Sequence, residues 1–249
     1  MIYYIIYFVF GLAAGSFLNV VIYRLPRGES IVFPSSHCPE CGHELSVIEL
    51  IPVLSYLIQR GRCRECGEAI SARYPLVELG TGLVFVINGY FFDNPVTALA
   101  GIFLASLLLV LSVIDLDHYV LPDKLTLTGL AAGLVIAFFR PDSHPLHAVA
   151  GVFAGGGFLF VIAMVSKGGL GGGDIKMMAF VGSFLGPVLV MLAIFAGAFF
   201  GLIANIPGLI SGDVGMKSRL PFGPFLALAS IIMWFFGDTL LSWYLNLML

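Results

Sequence analysis

Acidic residues beside runs of glycine are the first feature of this sequence that could do chemistry. The stretch GGLGGGDIKMM, residues 168–178, ends its glycine run in Asp174 and continues as an apolar segment. Such an acid can simply be a first-turn residue that complements the positive end of a helix dipole. The glycines permit a second interpretation, because they let an extended peptide approach the carboxylate closely. An ionisable residue at the edge of an apolar span is a candidate for function.

A partner for Asp174 could come from another apolar run, in SVIDLDHYVLPDKLT at 112–126. Asp115 directly follows that run, so it is the acid that we expect to be partly buried. Two carboxylates that share a site cannot both ionise, and one of them therefore stays protonated. The ionised member can act as a general base on water while the protonated member polarises a carbonyl, as in aspartic proteases.

Two more acids in the same stretch leave this pairing open. Asp123 stands in LPDKL and is predicted to be the N-cap of the next helix. Asp117 is predicted to be a solvated loop acid. Periodicity alone does not decide which of the three acids pairs with Asp174.

The cysteines form two C-x2-C pairs separated by 21 residues, a pattern that can present four thiolates to Zn2+. They are Cys38, Cys41, Cys63 and Cys66. A closed four-thiolate site has no open coordination position, so the predicted zinc is structural. It would stabilise a loop that is too short to form a sizeable hydrophobic core. The alternatives are two disulfides, which a reducing compartment disfavours, or four free thiols. His37 and His43 flank the first pair, and either could replace a thiolate or be an ordinary loop residue.

The composition places these residues in a membrane protein. Of 249 residues, 59% are hydrophobic and 11% are charged, and the mean hydropathy is +1.01. Soluble domains carry roughly a quarter charged residues. The net charge of -3 gives no excess of basic residues that would bind the phosphates of a nucleic acid. The first apolar segment has no basic flank and no cleavage site, so we expect a retained transmembrane helix.

We predict an all-α polytopic membrane protein with about eight transmembrane helices, since each span needs about 20 apolar residues. The predicted spans are 2–23, 76–92, 95–114, 125–139, 146–166, 175–186, 188–210 and 224–247. The sixth and seventh form one apolar block that only a predicted turn at Gly186-Pro187 divides, so seven spans is the alternative.

Basic residues set the expected orientation. In the eight-span arrangement eleven of the twelve Lys and Arg residues fall on one side, and only Arg140 falls on the other. The positive-inside rule makes the basic side cytoplasmic. The loop at 24–74 is then a small cytoplasmic zinc module between a first transmembrane helix at 1–23 and a transmembrane core at 75–249. Its apolar segment at 47–58 is too short to span, so we expect the core of the module or an interfacial segment.

On these residues the chain resembles the bacterial type IV prepilin peptidases, membrane aspartyl proteases of the GxGD class. The resemblance rests on five blocks in matching order. They are GSFLNVVIYRLPRGESIVFPSSHCPECG at 15–42, CRECGEAISARYPLVELGTG at 63–82, IDLDHYVLPDKLT at 114–126, GGGDIKMMAFVGSFLG at 171–186 and LPFGPFLALAS at 220–230.

The resemblance implies which residues act. It makes Asp115 and Asp174 the catalytic pair and leaves Asp117 outside it. It also implies Glu78 and Lys176 as substrate contacts, and the small size of Gly172 and Gly173 is expected to leave room for an extended substrate beside Asp174. For Glu78 and Lys176, a first-turn acid and a snorkelling lysine are the alternatives.

The resemblance also implies an activity and its setting. The protein would lie in the bacterial cytoplasmic (inner) membrane and cut the leader from type IV prepilins or from secretion pseudopilins at the cytoplasmic face. It would then methylate the new N-terminus with S-adenosylmethionine, so its partners would be these substrates and the lipid bilayer. Two other classes remain possible from the residues alone: a transporter that uses the acids as a proton relay, and a non-catalytic pilus-assembly protein.

Overall fold

The computed structural model describes residues 2–166, 170–211 and 221–248, with side chains described up to 207 in the second range. Over these ranges the chain is helical, and strand pairing is limited to two isolated bridges. The predicted all-α fold is therefore confirmed. The chain divides into two compact units, Met1–Ala98 and Leu99–Leu249.

The first unit is built on two helices that pack closely, α1 (Ile2–Arg24) and α3 (Arg73–Phe91). Glycines allow the approach. A Cβ on Gly11 would lie 2.7 Å from the Cα of Gly82, and a Cβ on Gly15 would lie 2.7 Å from the Cα of Glu78. Small residues four positions apart are typical of close helix crossings in membranes.

The loop between these helices carries a 3-10 turn at Leu25–Arg27, both cysteine pairs and the short helix α2 (Leu54–Ile58). Its apolar segment at 47–58 is not a buried core, since Val47 is 83% exposed and Ile58 is 77% exposed. Of the two interpretations offered for this segment, the interfacial one agrees with these exposures.

The second unit centres on α8. Its elements are the greater part of α4 (Pro95–His118), α5 (Asp123–Ile136), α6 (Pro145–Val152), a π-helical turn at Phe153–Gly157, α7 (Phe158–Val165), α8 (Gly172–Ser211) and α9 (Gly223–Met248). The helix α8 packs against α5, α6 and α9, and Met177, Phe180 and Val181 on it are fully buried. This packing fixes where α8 begins, and therefore where Asp174 lies.

The chain reverses direction within α8, at Gly186. Its backbone there has φ 74° and ψ 179°, a conformation that is essentially reserved for glycine. A Cβ on Gly155 would meet both the carbonyl oxygen of Met178 and Cγ2 of Val190. Residues twelve apart in a straight helix are about 18 Å apart, so the two halves must fold back on each other. The break that the sequence predicts at Gly186-Pro187 is confirmed.

Five helical segments in the described ranges are long and apolar enough to cross a membrane. They are Ile2–Arg27, Pro95–His118, Pro145–Val165, Gly172–Pro207 and Gly223–Met248, and the reversal at Gly186 divides the fourth of them into two shorter helices. The predicted span at 125–139 is displaced along the chain, because α5 begins at Asp123 and ends at Ile136, and its 14 residues are too few for a straight crossing. A straight crossing needs about 20 residues. The total of eight spans stays a prediction.

Candidate active site and metal centre

Asp115 lies in the last turn of α4 and is buried. Its Oδ2 accepts a hydrogen bond of 2.9 Å from the backbone N–H of Gly223, the first residue of α9. The first N–H groups of a helix have no partner within the helix, so the start of α9 supplies a donor that holds this carboxylate. A Cβ on Gly223 would lie 2.8 Å from the same oxygen, so the contact requires glycine.

Asp174 lies in the first turn of α8 and is half-buried. Its carboxylate lies within electrostatic range of Asp115 and beside Gly171, where an added Cβ would lie 3.0 Å from Oδ2 of Asp174. The structure thus brings together two acids that are 59 positions apart in sequence, at the ends of two different helices. Asp117 is exposed. Two carboxylates in this arrangement can share one proton and activate a water molecule.

The glycines before Asp174 have unequal surroundings. A Cβ on Gly172 would meet nothing within 4 Å, whereas a Cβ on Gly173 would lie 2.8 Å from the Cβ of Leu121. Gly172 therefore borders open space, whereas Gly173 allows close packing against Leu121. Residues 167–169, which include two glycines of the run, lie outside the described ranges.

Lys176 joins the starts of α5 and α8. Its Nζ lies 2.7 Å from Oδ1 and 2.8 Å from Oδ2 of Asp123. The predicted N-cap role of Asp123 is wrong, because Pro122 is the N-cap of α5 and Asp123 is a first-turn residue. The carboxylate of Asp123 instead contacts the ammonium group of Lys176, which follows Asp174 by two positions.

The four cysteine sulfurs form a compact cluster. All lie within 4.8 Å of one another. The Sγ atoms of Cys38 and Cys66 are 3.9 Å apart, and those of Cys41 and Cys63 are 4.0 Å apart. A disulfide bond is about 2.05 Å long, so these are four free thiols that could hold a metal ion.

The two C-x2-C turns are built alike. The backbone N–H of Gly42 donates to the carbonyl of Cys38, and that of Gly67 donates to the carbonyl of Cys63, each at 2.9 Å. Both glycines have positive φ angles, 72° and 74°, which other residues rarely adopt. Backbone N–H donors, first that of Cys66, lower the pKa of the Cys63 thiol to about 7, whereas burial and the neighbouring thiols raise the pKa of Cys66 to about 12. The thiolate is the form that binds metal.

The flanking histidines contact other groups. His43 Nε2 lies 3.2 Å from Oε2 of Glu49, and His37 Nδ1 lies 3.0 Å from the carbonyl of Ser35. Among the residues whose placement is described, the group of possible metal ligands consists of cysteines alone. The backbone N–H and then the hydroxyl of Ser46, together with His43, lower the pKa of Glu49 to about 2.

Glu78 belongs to the first unit and is buried on α3. Its Oε2 accepts a hydrogen bond of 2.8 Å from the backbone N–H of Val53, which precedes α2. Because α3 begins at Arg73, Glu78 is not a first-turn acid. The carboxylate instead holds the loop to the helix.

Sequence comparisons match both halves of the chain to known families. Residues 9–92 match the bacterial peptidase A24 N-terminal domain, and residues 102–206 match the type IV leader peptidase family. No solved structure matches the chain.

Curated relatives carry one common name, prepilin leader peptidase/N-methyltransferase. The protein of Bacillus subtilis (strain 168) is 34% identical over 98% of this chain and 98% of its own length. That of Aeromonas salmonicida (strain A449) is 37% identical over 100% of this chain and 96% of its own length. That of Burkholderia pseudomallei (strain 1026b) is 38% identical over 92% of this chain and 84% of its own length. The chain therefore belongs to the type IV leader peptidase family.

Proposed function

We propose that this protein removes the leader peptide from type IV prepilins or pseudopilins and then methylates the new N-terminus with S-adenosylmethionine. The observation that supports the peptidase activity is that Asp115 and Asp174, at the ends of two membrane helices, lie within electrostatic range of each other. Relatives that match nearly the whole chain bear both activities in their name.

The two acids divide the work of peptide hydrolysis. The ionised carboxylate takes a proton from water, and the water oxygen attacks the scissile carbonyl. The protonated carboxyl donates a hydrogen bond to that carbonyl oxygen and stabilises the charge that develops on it. The backbone N–H of Gly223 keeps Asp115 in place while this happens.

The substrate must reach these acids as extended backbone, because a helix buries its peptide groups in its own hydrogen bonds. The open space beside Gly172 supports an approach there. Gly173 borders the same path through its packing on Leu121. We assign Lys176 and Glu78 to substrate contacts, the first beside Asp174 and the second in the first unit.

The cysteine cluster suits structural zinc. Four thiolates about 2.3 Å from a tetrahedral Zn2+ lie about 3.8 Å apart. The Sγ distances of 3.9 and 4.0 Å in the structure agree with that value. The four cysteines fill all four positions, so the metal would stabilise the loop at 24–74 without binding substrate.

The orientation follows from charge. The loop with the cysteines carries six arginines, which the positive-inside rule assigns to the cytoplasm of a bacterial inner membrane. Lys167, Lys217 and Arg219, which enter the same argument, lie outside the described residues. Both proposed catalytic acids would then face the cytoplasm, where the leader peptide of a prepilin would be cut.

A cleavage assay tests the peptidase. Purified protein in detergent is incubated with a prepilin, and the product is identified by mass. Because each acid is needed for proton transfer, Asp115→Asn and Asp174→Asn should each lower the rate by about 10²–10⁴-fold. Asp117→Asn, which changes an exposed acid two positions from Asp115, is the matched control. Loss of activity in the Asp117 variant alone would overturn the assignment.

A further inference from the structure

The apolar segment at 47–58 lies beside the middle of α1 and not beyond its end. The backbone N–H of Val53 donates to Oε2 of Glu78 across 2.8 Å. Glu78 packs against α1 at Gly15, where a Cβ would lie 2.7 Å from the Cα of Glu78. A glutamate side chain spans only a few ångströms, so Val53 lies at nearly the same level along α1 as Gly15.

That level falls within the length of α1 that a bilayer would surround. Arg24 is the last residue of α1 and follows Gly15 by 24 − 15 = 9 positions, which corresponds to roughly 13 Å of helix. The stretch Ile2–Arg27 is long and apolar enough to cross a membrane. The hydrocarbon core of a membrane is about 30 Å thick. The loop that follows Arg24 must therefore turn back along the helices to bring Val53 to this level.

The side chains of the segment suit contact with lipid. Its one charged residue, Glu49, is buried, and Oε2 of Glu49 accepts a hydrogen bond from the hydroxyl of Ser46. The exposed side of the segment, all of which lies in the described ranges, therefore carries no charge. Exposed apolar patches of this kind mark protein or membrane contacts. The exposed apolar residues are Val47, Ile48, Ile51, Leu54, Leu57 and Ile58.

The backbone of the segment finds its partners within the protein, as a position in lipid requires. The N–H groups of Leu54, Ser55 and Leu57 donate to carbonyl oxygens of the same segment. Val53 has a backbone φ of 63°, and its N–H donates to the carboxylate of Glu78 instead. Water could satisfy such an N–H group in a soluble loop, whereas lipid offers it no acceptor. The contact with Glu78 is therefore what a membrane position demands.

We infer that residues 47–58 form a re-entrant segment, which enters the leaflet at the Arg24 end of α1 and contacts lipid acyl chains with its exposed side chains. Irregular backbone is tolerated at such a level where it packs on protein, and α3 provides that support. The exposed arginines Arg60, Arg62 and Arg64 follow directly and can reach the lipid headgroups. The bilayer would thus hold the cysteine loop against the membrane, whatever reaction the protein catalyses.

Photochemical labelling by lipid tests the location without any substitution. The full-length protein is reconstituted in phosphatidylcholine vesicles that contain a lipid with a diazirine in its acyl chain, irradiated, digested and mapped by mass. We expect lipid adducts in α1 and in residues 47–58, but not in the polar stretch at 60–72. Adducts in α1 without any in 47–58 would overturn the inference, because protein or water would then cover the segment.

An added charge tests the depth. Leu57→Asp places a carboxylate among acyl chains, where it is costly, so the midpoint of thermal unfolding in vesicles should fall by about 4 °C or more. Val32→Asp is the matched control. Val32 is also exposed and apolar, but it lies between Ser30 and Ser35, whose carbonyls bind the guanidinium of Arg24 at the end of α1. Its midpoint should stay close to that of the wild type. Equal midpoints in the two variants would contradict insertion of the re-entrant segment.

Discussion

At the scale of single residues, the candidate active site depends on a contact that has no side-chain signature. Asp115 is held by the backbone N–H of Gly223. Acids at the edges of apolar runs can be found in a sequence, which is how Asp115 and Asp174 became candidates, and the family resemblance then selected Asp115 over its neighbouring acids. A backbone donor can come from any residue type except proline, so only the folded chain shows that the start of α9 faces Asp115.

Gly223→Ala tests that contact. The added Cβ would lie 2.8 Å from Oδ2 of Asp115, so the carboxylate or the start of α9 must move. A displacement of about 1 Å at a reacting group can cost 10²-fold in rate, and we expect a loss of that order in prepilin cleavage. Gly201→Ala, where the nearest atom to the new Cβ is 3.4 Å away, is the control. Full activity of the Gly223 variant would show that Asp115 does not depend on this geometry.

The glycines before Asp174 allow a second test at this scale. Gly172→Val places a side chain in open space, so the protein should fold and bind metal normally but cleave prepilin at least tenfold more slowly, with the loss mainly in KM. Gly173→Val must displace Leu121. It should therefore also lower the free energy of unfolding by about 1–3 kcal/mol, because overpacking strains the surrounding side chains. Steady-state kinetics and thermal unfolding separate the two. Normal cleavage by Gly172→Val would refute the approach of substrate at this glycine.

At the scale of helices, the apolar pattern locates most elements but misjudges some ends. The span predicted at 125–139 includes apolar residues that lie beyond the end of α5, such as Phe138 and Phe139, which are exposed. Hydropathy measures transfer into lipid and does not register where a helix stops. The N-cap assigned to Asp123 failed for a related reason, since its partner Lys176 is 53 positions away and no local pattern encodes that distance.

The reversal at Gly186 is the helix-scale feature that the sequence did predict, because Gly-Pro is a strong turn signal. Gly186→Ala should be strongly destabilising. Its backbone conformation costs about 1–3 kcal/mol for other residues, and the new Cβ would collide with the imidazole of His147. We expect a lower midpoint of thermal unfolding in detergent. His147→Ala combined with Gly186→Ala should recover part of the loss, and a midpoint unchanged in the single variant would contradict the described turn.

At the scale of the whole molecule, the two compact units coincide with the two family matches. The first unit ends at Ala98 and the first match at residue 92, and the second match begins at residue 102. The sequence suggested a different division, with the loop at 24–74 as a module of its own. That loop is held to α3 by Glu78 and Val53 within the first unit, a contact that composition could not reveal. The proposed roles divide in the same way, with the cysteine cluster in the first unit and both proposed catalytic acids in the second.

Removing the metal should therefore affect the two activities unequally. Cys38→Ser/Cys63→Ser deletes two of the four sulfur ligands, so bound zinc, measured by atomic spectroscopy, should fall to background. Methylation should fall at least tenfold, because the loop at 24–74, which we expect to take part in methyl transfer, would lose the metal that stabilises it. Cleavage should fall less, since Asp115, Asp174 and Gly223 all belong to the other unit. The mass of the mature product reports both steps in one assay, because each methylated molecule must first have been cut.

Ser36→Ala, beside the cysteines, is the control that keeps all four thiols. Full zinc in the double variant would refute the four-cysteine site, and an equal loss of cleavage and methylation would show that the two units do not work separately.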